Sequence, residues 1–448
     1  MNIDLFNILI ILMLILTILE FSNYKSNFIH LISLSLIVFS LFFKSGLWNS
    51  DLFDISSWKL LFISLVFISF FIVLELVEEN TFDVYCLLIL VLIGSVILIL
   101  SDNLLILYLG LELQTFSIFI LIAKNRSSIK SSEAGMKYFI LGAISSGFFL
   151  LSIVILFLYG LDLNLKHLLL LNEDLIVSSS IILISISFCF KLSIFPFHFW
   201  IPDIYEGSSW DIISLVATLP KISMICVLLQ ILFNSNMIIS LCLLSIIIGT
   251  LGALNQSKLK RLLGYSGVSH MGFIVLGLVI INNQGLTVSC LYLIIYMLSM
   301  ISLLIIIIKG NFKNNYIIEL GGIKFINNIV AITLVLIVLS IAGIPPLSGF
   351  ISKWYLIWTI IENYFSLSSF IIILFSAIGV GYYLRIVKIV YFQKKSSYLL
   401  WKNILEIKKT KNETLYLFLG FLFFTTLFLI VNFSFMVNLI NKYLTNIY

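Results

Sequence analysis

The chain has 448 residues, 61% hydrophobic and only 10% charged, with a formal net charge of +5 and a mean hydropathy of +1.18. A soluble domain carries about 25% charged residues, so a water-soluble enzyme is excluded and an integral membrane protein is described. The sequence has neither a G-x-x-x-x-G-K-[ST] loop nor a strand-associated G-x-G-x-x-G, so no nucleotide or soluble redox cofactor is expected on this chain.

Met1 leads almost directly into an apolar run, with no basic n-region and no small-residue cleavage site, so the first helix is expected to be retained. A span needs about 20 apolar residues. The runs predict about fourteen: 5–21, 28–43, 59–77, 84–100, 104–123, 134–160, 176–200, 211–232, 237–255, 262–281, 286–308, 327–358, 366–392 and 414–436. The seventh is broken at Pro196 and the twelfth at Pro345-Pro346. Basic residues cluster in Lys124–Lys130, Lys258–Arg261, Lys309–Lys324 and Lys394–Lys411, after spans five, nine, eleven and thirteen. All four loops fall on one side, which the positive-inside rule makes the inside, with both termini outside.

The order of spans contains a repeat. Spans four to eight form a set of five whose fourth is broken, and spans nine to thirteen form a second such set. Five is odd, so the second set enters from the opposite face. Inverted repeats with broken helices at matching places point to transport sites near the midplane. The expected fold is therefore an all-α polytopic membrane protein of two inverted five-helix repeats. The domain reading is N-terminal spans over 1–83, a first repeat over 84–236, a second over 237–393, and a basic loop with a last span over 394–448.

The charges that do not belong in a membrane are the functional candidates. Each lysine at a span centre costs about 2.5–3.5 kcal/mol on insertion scales. Glu112 lies eight residues into span five, about 12 Å down at 1.5 Å per residue. Lys137 sits near the start of span six, Lys191 within span seven ahead of Pro196, Lys221 in span eight after Pro220, and Lys353 after the second break. His198 and His270 add groups that titrate near neutral pH. In series these make a row of proton-binding positions, because a carboxylate stabilises a lysine's charge while burial opposes it. Plainer roles stand beside this one: a static Glu112–Lys191 ion pair, Lys137 snorkelling to the surface, His198 and His270 as satisfied polar residues, and Pro196, Pro345 and Pro346 as simple kinks. The five cysteines (Cys86, Cys189, Cys226, Cys242, Cys290) lie in apolar runs without ligand spacing and read as buried thiols rather than metal or iron–sulfur ligands.

The segments L-E-L-Q-T-F-S (111–117), S-S-E-A-G-M-K-Y-F-I-L-G-A-I-S-S-G (131–147), K-L-S-I-F-P-F-H-F-W-I-P-D-I-Y-E-G (191–207), L-N-Q-S-K-L-K-R-L-L-G-Y-S-G-V-S-H-M-G-F (254–273) and G-I-P-P-L-S-G-F-I-S-K-W-Y-L (343–356) resemble the antiporter-like membrane subunits of respiratory complex I, NADH–ubiquinone oxidoreductase. E-A-G-x-K-Y and P-D-x-Y-E-G, with Lys353 where chain 4-type members carry glutamate, resemble the chain 2 branch. The resemblance is collinear over about residues 84–393; the two ends match only in hydropathy and position.

It implies a proton-translocating subunit of a translocase, with Glu112, Lys137, Lys191, Lys221 and Lys353 on the family's key positions and His270 in its span-ten motif. It also implies that this chain binds no cofactor, while NADH, FMN, iron–sulfur clusters and ubiquinone are used by other subunits. The implied partners are adjacent antiporter-like subunits of the membrane arm and lipids, with no nucleic acid. The richness in Ile, Phe, Asn, Lys and Tyr beside five prolines suggests an AT-rich genome. With the resemblance, that implies a mitochondrial inner membrane, the alternative being a bacterial plasma membrane. The rival readings are a subunit of a cation/proton antiporter or membrane-bound hydrogenase, and a structural arm segment whose charges are static.

Overall fold

The structure is a computed structural model. It describes residues 52–393, apart from 78–80, 126, 161, 166–174, 232–235, 281, 311–315, 322 and 327, together with 433–444 and a few positions between 419 and 429. The expected spans 5–21 and 28–43 lie outside the described residues, as do most of 414–436 and the basic loop from Lys394.

The named elements of the described residues are helices. α1 runs Ser57–Leu76, α2 Phe82–Leu100, α3 Leu104–Ala123, α4 Ile129–Leu158, α5 Leu175–Lys191, α6 Trp200–Gly207 and α7 Trp210–Ile231. α8 follows over Asn236–Leu254, α9 over Leu259–Val279, α10 over Asn283–Lys309, α11 over Asn328–Ala342, α12 over Ser348–Glu362, α13 over Ser366–Phe392 and α14 over Phe433–Leu444. Among the described residues nine helices are long and apolar enough to cross a membrane: α1–α4, α7–α10 and α13. Helices suit these runs because hydrocarbon offers the backbone no partner and a helix satisfies its own N–H and C=O groups. Serines in the spans do likewise: Ser95 and Ser152 each bond the carbonyl three residues back, at 2.7 and 2.5 Å.

Both expected breaks are present. The first is wider than the proline alone dictates: α5 ends at Lys191, a turn region covers 192–199, and α6 then extends to Gly207, past the boundary at 200 read from hydropathy. The second separates α11 from α12 around Pro345-Pro346. The X–Pro bonds Phe195–Pro196 and Pro345–Pro346 are both cis. Just before them the chain turns through positive φ at Ser193 (60°) and Gly343 (81°). At Gly343 a side chain is excluded twice, by that φ and because a Cβ there would lie 2.7 Å from Cδ of Lys353.

The chain forms two compact units. Of the described residues, unit 1 holds those within 1–192, 207–233 and 443–448, and unit 2 those within 193–206 and 234–442. Within unit 1, α2 packs on α3, α3 on α4, α4 on α5, and α7 on both α2 and α5. Within unit 2 the same pattern recurs with α8, α9, α10, α11 and α13 in those five places. The correspondence reaches single atoms. A Cβ on Gly94 would lie 2.9 Å from the Gln114 nitrogen and 3.1 Å from the Gly110 oxygen. On Gly249 it would lie 2.7 Å from the Ser269 nitrogen and 2.9 Å from the Tyr265 oxygen. Each of these three pairs of positions is 155 residues apart, so a tight helix contact of one repeat is reproduced in register by the other.

Candidate functional site

The first cluster lies in unit 1. Asn103 caps α3 by accepting from Leu105 N at 2.9 Å, which starts the helix that carries Glu112. The Tyr108 hydroxyl faces the Glu112 carboxylate from one turn earlier, and Thr115 donates to the Glu112 backbone carbonyl at 3.2 Å. Tyr138 on α4 is within electrostatic reach of the same carboxylate. One turn beyond Tyr138, the Gly142 Cβ position is 3.7 Å from Nζ of Lys191. α4 thus presents one face to both Glu112 and Lys191. Glu112 is within electrostatic reach of the Lys191 ammonium, yet no carboxylate among the described residues is within salt-bridge distance of it. A static Glu112–Lys191 contact pair is therefore not what the geometry shows.

Lys221 is in α7 and only 3% exposed. Pro220 before it has no N–H to give the preceding turn. Two residues on, Ser223 accepts from Gln114 Nε2 at 3.4 Å in a buried bond that ties α7 to α3. Glu112 and Lys221 are therefore carried by helices pinned to each other two residues along.

Lys137 is on α4, one residue before Tyr138. It is 39% exposed and pairs with Glu133, one turn earlier, at 2.7 Å.

The second cluster lies in unit 2. Lys353 in α12 folds back over Gly343 and donates to the Ala342 carbonyl at the end of α11 at 2.7 Å. A cation at a helix C-terminus meets both unpaired carbonyls and the negative end of the dipole. Its ammonium also lies 5.8 Å from the Phe273 ring centroid on α9. His270, three residues before Phe273, is buried, with Nδ1 2.9 Å from the Tyr292 hydroxyl and Nε2 3.2 Å from the Tyr383 hydroxyl. Tyr296 packs on the imidazole at 5.1 Å between centroids. His198, in the first break, is buried under Phe199 at 4.2 Å, and its Nδ1 has no hydrogen-bond partner among the described residues.

Three arrangements escaped the sequence reading. The tyrosines round His270 are one; no periodicity marks a tyrosine that meets a histidine 113 positions away. The second is Lys59 in the first turn of α1. It is 1% exposed, with Nζ 3.6 Å from Asp102 and 3.9 Å from Asp54. Backbone bonds Asp54 N to Leu100 O, Asp102 N to Leu52 O and Leu165 N to Asp102 O draw three connectors together beside it. A lysine just inside an apolar run with an aspartate five residues before it was the available signal. The third joins α6 to α9: Glu206 bonds Lys258 at 2.5 Å and Arg261 at 3.2 Å, while Arg261 reaches Asp203 at 3.5 Å. The sequence showed these residues separately, as an acidic turn and as loop charges that set orientation.

Of the five cysteines, four are buried and Cys86 is part-exposed. Among the described residues no three His, Cys, Asp or Glu side chains are placed to hold a metal.

Residues 101–381 match the model of the family described as NADH:quinone oxidoreductase/Mrp antiporter, TM. The chain belongs to that family. It is 38% identical over 357 residues to the NADH-ubiquinone oxidoreductase chain 2 of Metridium senile, covering 77% of this chain and 92% of that one. The NADH-quinone oxidoreductase subunit N of Bartonella bacilliformis is 31% identical over 428 residues, 88% of each chain. In fold, a chain of respiratory complex I from Thermus thermophilus superposes with a TM-score of 0.84 at 23% identity, covering 96% of this chain and 98% of that one. A chain of the Mrp complex from Dietzia gives 0.82 at 17% identity, covering 94% and 92%. The all-α, antiporter-like architecture expected from the sequence is the family's fold.

Proposed function

We propose that this chain is a proton-translocating membrane-arm subunit of an NADH:quinone oxidoreductase. The observation that carries the reading is a buried lysine in each unit of a family frame, Lys221 at 3% and Lys353 at 9% exposure, with Lys221 on a helix tied to the one that carries Glu112. A charge that is attracted but not clamped can be protonated or released when its surroundings rearrange. In this reading Glu112, Lys191 and Lys221 hold protons in unit 1 and Lys353 does so in unit 2, with His198 and His270 in support. Lys137, paired with Glu133, is a further proton-binding position of the same relay. Electron transfer takes place in partner subunits that hold NADH, FMN, the iron–sulfur clusters and ubiquinone, and this chain contributes no redox centre. Its neighbours are other antiporter-like subunits, and its setting is the mitochondrial inner membrane.

Identity favours this over a cation/proton antiporter complex: the relatives above 30% identity are named as NADH oxidoreductase chains, while the Mrp likeness is one of fold. The test is a native gel of mildly solubilised membranes stained for NADH dehydrogenase activity, with mass spectrometry of the stained band. Peptides of this chain in that band are expected. Their recovery only in a smaller, flavin-free assembly would move the chain to an antiporter complex.

A further inference from the structure

The outward side of α13 is one continuous face: Leu374, Ile378, Gly381, Arg385 and Lys388 recur every three or four residues, and all are exposed. Leu367 opens that face in the first turn, 72% exposed. From there to Arg385 is 18 residues, about 27 Å of helix at 1.5 Å per residue. The hydrocarbon of a bilayer is about 30 Å thick, so Arg385 and Lys388 lie at the depth of one row of headgroups. The basic loops mark that side as inner. α8 packs beside α13 and exposes Leu244 and Leu251 along its length. At Gly381 a Cβ would meet only Leu254 Cδ2 of α8, at 3.9 Å, which leaves the seam between the two helices open there. One turn on, Arg385 Nη1 donates to the carbonyl of Gln256, just past the end of α8, at 3.3 Å. That bond stretches the guanidinium across the inner mouth of the seam and uses one of its five N–H groups.

The inner cations of unit 2 fall into two groups. Lys258 and Arg261 are neutralised by Glu206 and Asp203. Arg385, Lys388 and Lys324 have no carboxylate within salt-bridge distance among the described residues. Glu319, on the turn Ile317–Leu320 that packs against α13, is beyond that distance from all three. Lys324 lies 5.0 Å over the ring of Tyr391, at the same end of α13. We infer that the inner end of the α8–α13 seam binds an anionic phospholipid, with its phosphate on Arg385 and Lys388 and an acyl chain along Gly381, Ile378 and Leu374. A guanidinium meets a phosphate with two parallel N–H groups, and a lysine adds a point charge. Basic residues at the inner ends of membrane helices attract anionic lipid for this reason. A zwitterionic headgroup would bring its own cation to the three already there. A soluble phosphate would make no use of the apolar stripe beneath them. The inference concerns how the chain is seated in its membrane and does not depend on proton translocation.

The test uses the intact complex in phosphatidylcholine vesicles that carry a trace of phosphatidylglycerol with a photoreactive diazirine on its acyl chain. A matching phosphatidylcholine probe is run beside it, and crosslinked peptides are mapped by mass spectrometry. The parental complex should label α8 and α13 with the anionic probe in preference to the zwitterionic one. Arg385→Gln and Lys388→Gln should each lower that preference about fivefold, and raised salt should lower it in the parent. Equal labelling by the two probes in the parent would overturn the inference, leaving ordinary lipid contact. So would a parental preference in the double variant. Labelling of this face by neither probe would show a neighbouring protein seated on it and would overturn the inference as well. If the variants do not assemble, the parental complex carries the test: a preference for the anionic probe that raised salt removes is expected, and one that survives raised salt would overturn the role of the cations.

Discussion

The two repeats place five helices in the same pattern and cross one tight pair at matching atoms, but they fill that frame with different chemistry. At its lysine cluster unit 1 has Glu112 on α3, an ammonium, that of Lys191, beside Gly142 of α4, and a second ammonium, that of Lys221, next to a proline. Unit 2 carries a histidine between tyrosines and a lysine resting on a helix end. In the register of the tight α2–α3 and α8–α9 crossings, 155 residues apart, the place of Glu112 is taken by Gly267 and that of Thr115 by His270. At the breaks, where Ser193 and Gly343 turn alike 150 residues apart, the place of Lys353 is taken in the first repeat by Asp203, which meets Arg261. Packing fixes the frame; the ionisable residues have been redistributed on it. A repeat of this kind constrains glycines and turns far more tightly than it constrains charges.

Predictions that break or sharpen this comparison run from large to small. Glu112→Ala or Lys191→Ala should leave an assembled complex whose proton-coupled NADH:quinone turnover falls by about tenfold or more, measured in sealed vesicles. An unchanged coupled rate would mean that the charges of unit 1 are static. Lys59→Met leaves Asp54 and Asp102 facing each other at a buried site, which should destabilise the complex by about 3 kcal/mol. The double variant with Asp102→Asn should recover much of that, read from complex abundance and thermal melting. A double variant no better than the single would show that the lysine acts otherwise.

Smaller effects probe the frame itself. Gly94→Ala and Gly249→Ala each push a methyl group against backbone and should each cost about 1–3 kcal/mol. A melt in which only one of them is destabilised would break the atom-level correspondence. At the turns, Gly343→Ala should cost about 1–3 kcal/mol through positive φ and also shift Lys353, lowering coupled turnover. Ser193→Gly at the matching turn should stay within about 0.5 kcal/mol of the parent.

Among the described residues, the sequence made the spans, both breaks and the candidate charges Glu112, Lys137, Lys191, Lys221 and Lys353 conspicuous for one reason: a charge or proline in an apolar run stands out. Lys191, Lys221, Lys353 and Glu112 are each buried or partly buried beside another helix of the site. Lys137 was visible by the same rule but pairs outward with Glu133, a bearing set by 100° of helix rotation that composition does not show. What stayed hidden is pairing over distance. Tyrosine is common in membrane helices, so Tyr292 and Tyr383 gave no signal until three helices brought them to one imidazole. Glu206 and Lys258, 52 positions apart, were each visible but not as partners. The width of the first break was also hidden, because the turn begins at Leu192, ahead of the proline that hydropathy and residue type reveal.

The most direct test of the account is NADH-driven proton translocation by the assembled complex carrying Lys191→Ala or Lys353→Ala, with uncoupled electron transfer measured alongside. The account predicts that both variants keep their electron transfer when uncoupled and both lose most of their translocation, one lysine failing in each repeat. Parental translocation by either variant would contradict it, because the frame would then hold one working set of charges rather than two.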